Sequence, residues 1–213
     1  MVGDDVVDLG DPEARDGAQH PRFDARVFAS VERAALAESP AAVRLRWILW
    51  AAKEAAYKLA RKLDPGVVFS PSRFVVSLGP AASEARSEPQ ASEVLGPDAL
   101  RGRVSWPGGL ARVEVRELGG AVHAIARDGD GQCVLVRGVA TLEPGDDPSR
   151  AARGLAVRRV ARRLGLDPRD LGVVRRGRIP SLALPGGGAL ELSLSHHGCF
   201  VAFACELEGA HPL

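Results

Sequence analysis

Cysteine is scarce in this 213-residue chain, with only Cys133, Cys199 and Cys205. An odd number with no C-x-x-C pair suggests neither a disulfide framework nor a zinc site. A reducing cytoplasm fits this usage, and Cys199 and Cys205 read as small buried hydrophobes in a strand. Charge of one sign is also lacking: 28 Lys and Arg stand against 27 Asp and Glu, which argues against a dedicated nucleic-acid binder. No apolar run approaches the roughly 20 residues needed to span a bilayer, so no membrane partner is expected. The opening MVGDDVVDLGDPEARDG has neither the basic n-region nor the apolar h-region of a secretory signal.

What is present is the composition of a globular protein able to bury a core, as one domain or as two packed halves. VGDDVVDL reads as a short strand ending in acids. A short helix follows with Ser30 as its expected N-cap, then a long helix from about 42 to 63 that stops at Asp64-Pro65-Gly66. SRFVVSL reads as a strand, and residues 80 to 103, rich in Pro, Ser, Glu and Ala, read as a surface loop. RVSW, ARVEVREL and AVHAIARD read as antiparallel strands, and CVLVRGVATL as another. A second long helix covers about 148 to 164, and LELSLS and CFVAFACEL close the chain as strands around a polar SHHG insertion.

The first helix followed by ARKLDPGVVFSPSRFVV echoes the second followed by ARRLGLDPRDLGVV. The expected fold class is therefore α+β. It consists of two pseudo-repeated halves, 1–128 and 129–213, each a long helix packed on a small antiparallel sheet.

On the first long helix, Trp47, Trp50, Glu54, Tyr57, Lys58 and Arg61 share one side at steps of three and four. Leu45, Leu49, Ala52, Ala56, Leu59 and Leu63 form the expected core face. Spacing alone makes Glu54 and Lys58 an ordinary solvated ion pair, worth about 0.3–0.5 kcal/mol. Two tryptophans beside them are out of place on a solvated face, so the stripe is expected to line a cleft or a second packing surface.

Four motifs together resemble those of the 4′-phosphopantetheinyl transferases. They are Trp50-Ala51-Ala52-Lys53-Glu54 with Lys58 four residues on; the strand VGDDVVDL; HPRFDARVFASVE; and GRIPSL with LELSLSHHGCFVAFA. The helix DPSRAARGLAVRRVARRLGLDPRDLGVV is similar to the one that precedes the last motif in the surfactin-type branch. The half with the aspartate and Lys-Glu motifs comes first, as in the short holo-acyl-carrier-protein synthase branch. The length nevertheless suits two halves, so a circularly permuted order is inferred. An active site between the chain's own halves would let it act as a monomer.

The resemblance implies transfer of 4′-phosphopantetheine from coenzyme A to a serine of an apo acyl or peptidyl carrier protein, releasing 3′,5′-adenosine bisphosphate. It implies Mg²⁺ held by Asp5 and Glu54, with water in place of a third protein ligand because Val7 cannot ligate. Glu54 would act as base, directly or through metal-bound water, and Lys58 would stabilise phosphate charge. Lys53 is left open between a phosphate contact and a solvated side chain. Ser195 and His196 match the pair that contacts the 3′-phosphate of the nucleotide. Arg178 matches the basic phosphate contact despite the inserted Ile179, and Arg150 and Arg153 occupy a helix start where another is expected. Arg22 and Arg26 resemble carrier-docking residues, while Arg162 and Arg163 read as solvated.

Two other classes compete with this reading. A non-catalytic coenzyme A or carrier-binding module would have no use for Asp5, Glu54 and Lys58 together. An RNA-binding domain built on the second helix is opposed by the charge balance and by the lack of an aromatic platform on the strands.

Overall fold

A computed structural model describes residues 1–80, 99–129, 133–177 and 179–207. They form two five-stranded antiparallel sheets, each packed against one long helix. The first sheet contains β1 (Val2–Asp8), β2 (Val75–Pro80), β3 (Leu100–Trp106), β4 (Gly109–Leu118) and β5 (Ala121–Arg127), in the order β1-β5-β4-β3-β2. The second contains β6 (Val134–Thr141), β7 (Gly172–Arg176), β8 (Ile179–Ala183), β9 (Ala189–His197) and β10 (Phe200–Leu207), in the order β6-β10-β9-β8-β7. Counted along the chain, both orders read first, fifth, fourth, third, second.

Between β1 and β2 lie α1 (Phe23–Val27), α2 (Ser30–Glu38) and the long α3 (Ala42–Leu63). Helix α4 (Pro148–Leu164) lies between β6 and β7. Its ends follow ordinary capping chemistry: Asp147 accepts from the Arg150 amide at 2.6 Å, and Gly165 closes it with φ +67°.

Helix α3 is wider in its burial than the expected stripe. Trp47, Ile48, Leu49, Ala51, Ala52, Lys53, Ala55, Ala56, Leu59 and Ala60 are all buried, whereas Leu63 is exposed. The alanines let neighbouring elements approach on several sides, so the helix is a central element with no solvated back. Closest is β1: a Cβ on Gly3 would stand 2.1 Å from the carbonyl oxygen of Ala55, so only glycine fits there.

Strand β1 lies between the two halves, and the period of two along a strand divides its side chains. Gly3 meets α3 and Val7 joins the large core around that helix. Val2 packs with Ala204, and Val6 with Ala202, both from β10. The free edge of β1 is closed by side chains instead of a further strand. Asp4 N donates to Ser193 Oγ at 2.8 Å, and Asp8 N to His197 Nδ1 at 3.1 Å. Lys62 Nζ donates to the carbonyls of Val2 and Leu192, each at 2.8 Å. An edge strand left open would invite pairing with another chain.

Several expectations are corrected. Residues 100–103 belong to β3, so the loop expected over 80 to 103 does not extend that far; 81–98 lie outside the described residues. Ser-His-His continues β9, leaving Gly198-Cys199 as the turn, and Cys199 is exposed while Cys205 is buried. The N-cap of α2 is Ala29, whose amide donates to Glu32 Oε2 at 2.7 Å. Strand β7 was not foreseen. No helix among the described residues is long and apolar enough to cross a membrane.

Candidate active site

Alternation along β1 sends Asp5 toward α3, where it meets Lys58. Lys58 Nζ donates to Asp5 Oδ1 at 2.9 Å and to the carbonyl of Asp4 at 2.8 Å. Glu54 stands one turn earlier on the same helical stripe, part-buried. Its pKa is pushed up to about 7 by burial and by the negative charge of Asp5, with Lys58 opposing. Burial likewise raises the Asp5 pKa against the pull of Lys58. Lys58 is raised because Asp5, Asp4 and Glu54 outweigh the burial that would lower it. Asp5, Glu54 and Lys58, expected to act together, are brought together across one seam.

Asp5 and Glu54 are two part-buried carboxylates that share the influence of the Lys58 ammonium, groups that could hold a hard divalent cation. The fit rests on the chemistry of the donors, hard carboxylate oxygens from a strand and a helix that meet at Lys58. A second group, Asp11, Glu13 and His197, has potential ligand atoms within 4.8 Å of one another. There, however, His197 Nδ1 accepts from the Asp8 amide. The ring proton is thereby placed on Nε2, and neither nitrogen is left free for a metal.

Asp8 points to the opposite face from Asp5. Its carboxylate accepts from the Gly10 amide at 2.8 Å and the Cys199 amide at 3.0 Å, tying β1 to the β9–β10 turn.

Lys53 corrects both roles left open for it. It is fully buried, with Nζ donating to Glu32 Oε1 at 2.8 Å, Glu32 Oε2 at 2.7 Å and the carbonyls of Pro71 and Phe74. Its donors are used inside the first half, so it contacts neither solvent nor a phosphate. The 100° turn per residue that separates Lys53 from Glu54 points it at α2.

The aromatic members of the stripe pack inward. Trp47 donates from Nε1 to the Ala14 carbonyl at 2.7 Å, and Phe23 meets both Trp47 and Trp50. Tyr57 stacks on Phe69 with ring centroids 4.5 Å apart. The stripe thus serves two surfaces: aromatics against 23–28 and 69–74, and charged groups against β1.

In the second half a cleft of about 410 Å³ is lined by Ser149, Arg153, Val173, Arg175, Leu194 and His196, among others. Arg153 and His196 are thereby brought together as expected. Arg175 joins them from β7, missed in the sequence because that strand was not read as one. Ser195 is corrected. Alternation along β9 turns it away from His196 and into the interface, where it is buried and donates to Asp4 Oδ2 at 2.7 Å. Arg150 is exposed without lining the cleft, Arg178 lies outside the described residues, and Arg22, Arg26, Arg162 and Arg163 are exposed.

The acids and the ammonium of the seam lie on β1 and α3, and the two arginines and the histidine line a separate cleft in the second half. Residues 1–95 match the family model described as the 4′-phosphopantetheinyl transferase superfamily, so the resemblance read in the sequence holds over that stretch. No curated protein and no solved structure matches the chain.

Proposed function

We propose that the chain transfers 4′-phosphopantetheine from coenzyme A to a serine of an apo carrier protein. The observation that carries this reading is the convergence of Asp5, Glu54 and Lys58 across the β1–α3 seam, within the stretch that matches the superfamily. Asp5 and Glu54 would hold Mg²⁺, which when bound neutralises pyrophosphate charge and polarises the phosphoryl oxygens.

In the reaction the serine hydroxyl oxygen forms a bond to the β-phosphorus of coenzyme A. The bridging P–O bond breaks, and 3′,5′-adenosine bisphosphate leaves with the electron pair. The serine proton passes to Glu54 as general base. Lys58, anchored by Asp5 and the Asp4 carbonyl, presents positive charge where phosphate charge accumulates. Arg153, Arg175 and His196 receive the nucleotide end, and Arg22 and Arg26 steer an acidic carrier.

The two sheets share one strand order, which supports a division near residue 128 into halves related as a repeat; that the halves stand in an order permuted from the surfactin-type arrangement is inferred from the order of the sequence motifs. A site assembled from both halves of one chain lets a monomer act.

The test is incubation with coenzyme A, Mg²⁺ and a panel of apo carrier proteins, followed by intact-mass measurement of the carriers. A gain of about 340 Da on a carrier, lost with EDTA, is the expected result. Binding of coenzyme A with no gain on any carrier would mean a binding module instead.

A further inference from the structure

Asp4 is fully buried, and its side chain faces away from the seam occupied by Asp5 and has no part in the chemistry above. Its Oδ2 receives the Ser195 hydroxyl at 2.7 Å and lies 3.2 Å from His123 Nε2. Its amide donates to Ser193 Oγ at 2.8 Å. Its Oδ1 is buried and has no hydrogen-bond partner among the described residues. A buried carboxylate with an unsatisfied oxygen is costly to keep where packing alone is required, since an apolar pair of similar shape would serve as well.

The position of these contacts suggests what the cost supports. Asp4 is the chain neighbour of Asp5, and Ser195 is the neighbour of His196. Alternation aims Asp5 into the seam and His196 into the cleft, leaving Asp4 and Ser195 to meet between the halves. One hydrogen bond therefore joins the backbone that carries the seam acid to the backbone that carries the cleft histidine. The second link, from the Asp4 amide to Ser193, fixes the same strand two residues away and so sets register as well as distance.

We propose that Asp4 and Ser195 are positioning residues that set the spacing between the cation seam and the nucleotide cleft, so that one coenzyme A molecule engages both at once. This rests on the transferase reading of the two sites. Neither residue touches substrate. What they determine is how strongly occupancy of one site favours the other, a coupling that typically amounts to 5- to 150-fold in affinity.

The experiment is calorimetric titration of the full chain with coenzyme A, with and without Mg²⁺, and with adenosine 3′,5′-bisphosphate alone as the probe of the cleft. In the wild type, Mg²⁺ should tighten coenzyme A binding at least about fivefold. Ser195→Ala should lose most of that increment while the affinity for adenosine bisphosphate stays unchanged. Asp4→Asn keeps an oxygen for the Ser195 hydroxyl and should retain the increment to within about twofold.

An increment unchanged in Ser195→Ala overturns the proposal while leaving the transferase reading intact. An equal loss of affinity for both probes also overturns it, because it reports a merely structural role. If Ser195→Ala does not fold, loss of the increment in Asp4→Asn, whose oxygen preserves the link, overturns the proposal, and retention supports it. A wild type that binds no coenzyme A defeats the reading beneath it, and the proposal falls with that reading.

Discussion

Lys58 donates to the carboxylate of Asp5 at 2.9 Å and to the carbonyl of Asp4 at 2.8 Å, so one ammonium closes the edge of β1 and tempers the acids beside it. The helix–strand seam depends on that ammonium. Without it, Asp5 and Glu54 would face each other with no positive charge between them, and the Asp4 carbonyl at the free edge would lose its donor.

The first prediction concerns the acids. Asp5→Asn and Glu54→Gln preserve shape and remove charge. If both carboxylates hold the cation and Glu54 takes the serine proton, Glu54→Gln should lower carrier modification about 10²- to 10⁴-fold, the usual range for a lost general base. Both variants should also weaken Mn²⁺ binding, measured by electron paramagnetic resonance. A Glu54→Gln enzyme with wild-type turnover would remove Glu54 from the chemistry.

A second prediction follows from the raised pKa of Glu54. Its folded value near 7 lies above the ordinary 4.5, so the folded state favours the protonated form. The contribution is fully present below pH 4.5 and is lost as pH rises through 7, by about 3 kcal/mol in total. In metal-free buffer the wild type should therefore lose stability relative to Glu54→Gln over that interval. Saturating Mg²⁺, which needs the ionised carboxylates, should offset the loss. Urea midpoints of the two proteins from pH 4.5 to 8 measure the difference, and parallel profiles would contradict it.

Much of this site was legible because strand and helix periods are strict. Asp5 on one face of a strand, and Glu54 and Lys58 one turn apart on a helix, follow from positions alone once the two elements are known to pack. What makes them pack was not legible: the Ala55 carbonyl against Gly3 is a through-space contact between residues far apart in sequence. Lys53 was misread for the same reason, since its partner Glu32 lies 21 residues earlier on another helix. Ser195 could have been separated from His196 by strand alternation, had Ser-His-His been read as strand instead of insertion. Arg175 was hidden by β7, a five-residue strand with little alternating pattern to mark it.

The buried Lys53–Glu32 pair gives a third prediction. Lys53→Met strands the Glu32 carboxylate in the core and should cost about 3–5 kcal/mol, as broken buried pairs do. Adding Glu32→Leu removes the stranded charge and should recover part of that loss. A phosphate-binding lysine would behave otherwise, with stability nearly unchanged and a raised KM for coenzyme A. Denaturant unfolding beside steady-state kinetics separates the two.

Gly3→Ala provides a fourth prediction. The added methyl would meet the Ala55 carbonyl at 2.1 Å, and β1 must back away from α3. Overpacking of this kind costs about 1–3 kcal/mol, and the same displacement separates Asp5 from Glu54. Cation affinity should therefore fall together with the melting temperature. A destabilised variant with wild-type Mn²⁺ affinity would show that the acids do not depend on this close approach.

The last prediction tests the cleft. Arg153 and His196 line it together with Arg175, and the resemblance assigns the 3′-phosphate of the nucleotide to this region. Loss of a charge-assisted contact worth about 1.5–3 kcal/mol weakens binding roughly 10- to 100-fold. Arg153→Ala and Arg175→Ala should each raise the Kd for coenzyme A by that amount. Dephospho-coenzyme A lacks the phosphate, so its affinity should be low in the wild type and nearly unchanged in either variant. Equal losses for both ligands would instead place the arginines on the pyrophosphate, nearer the seam.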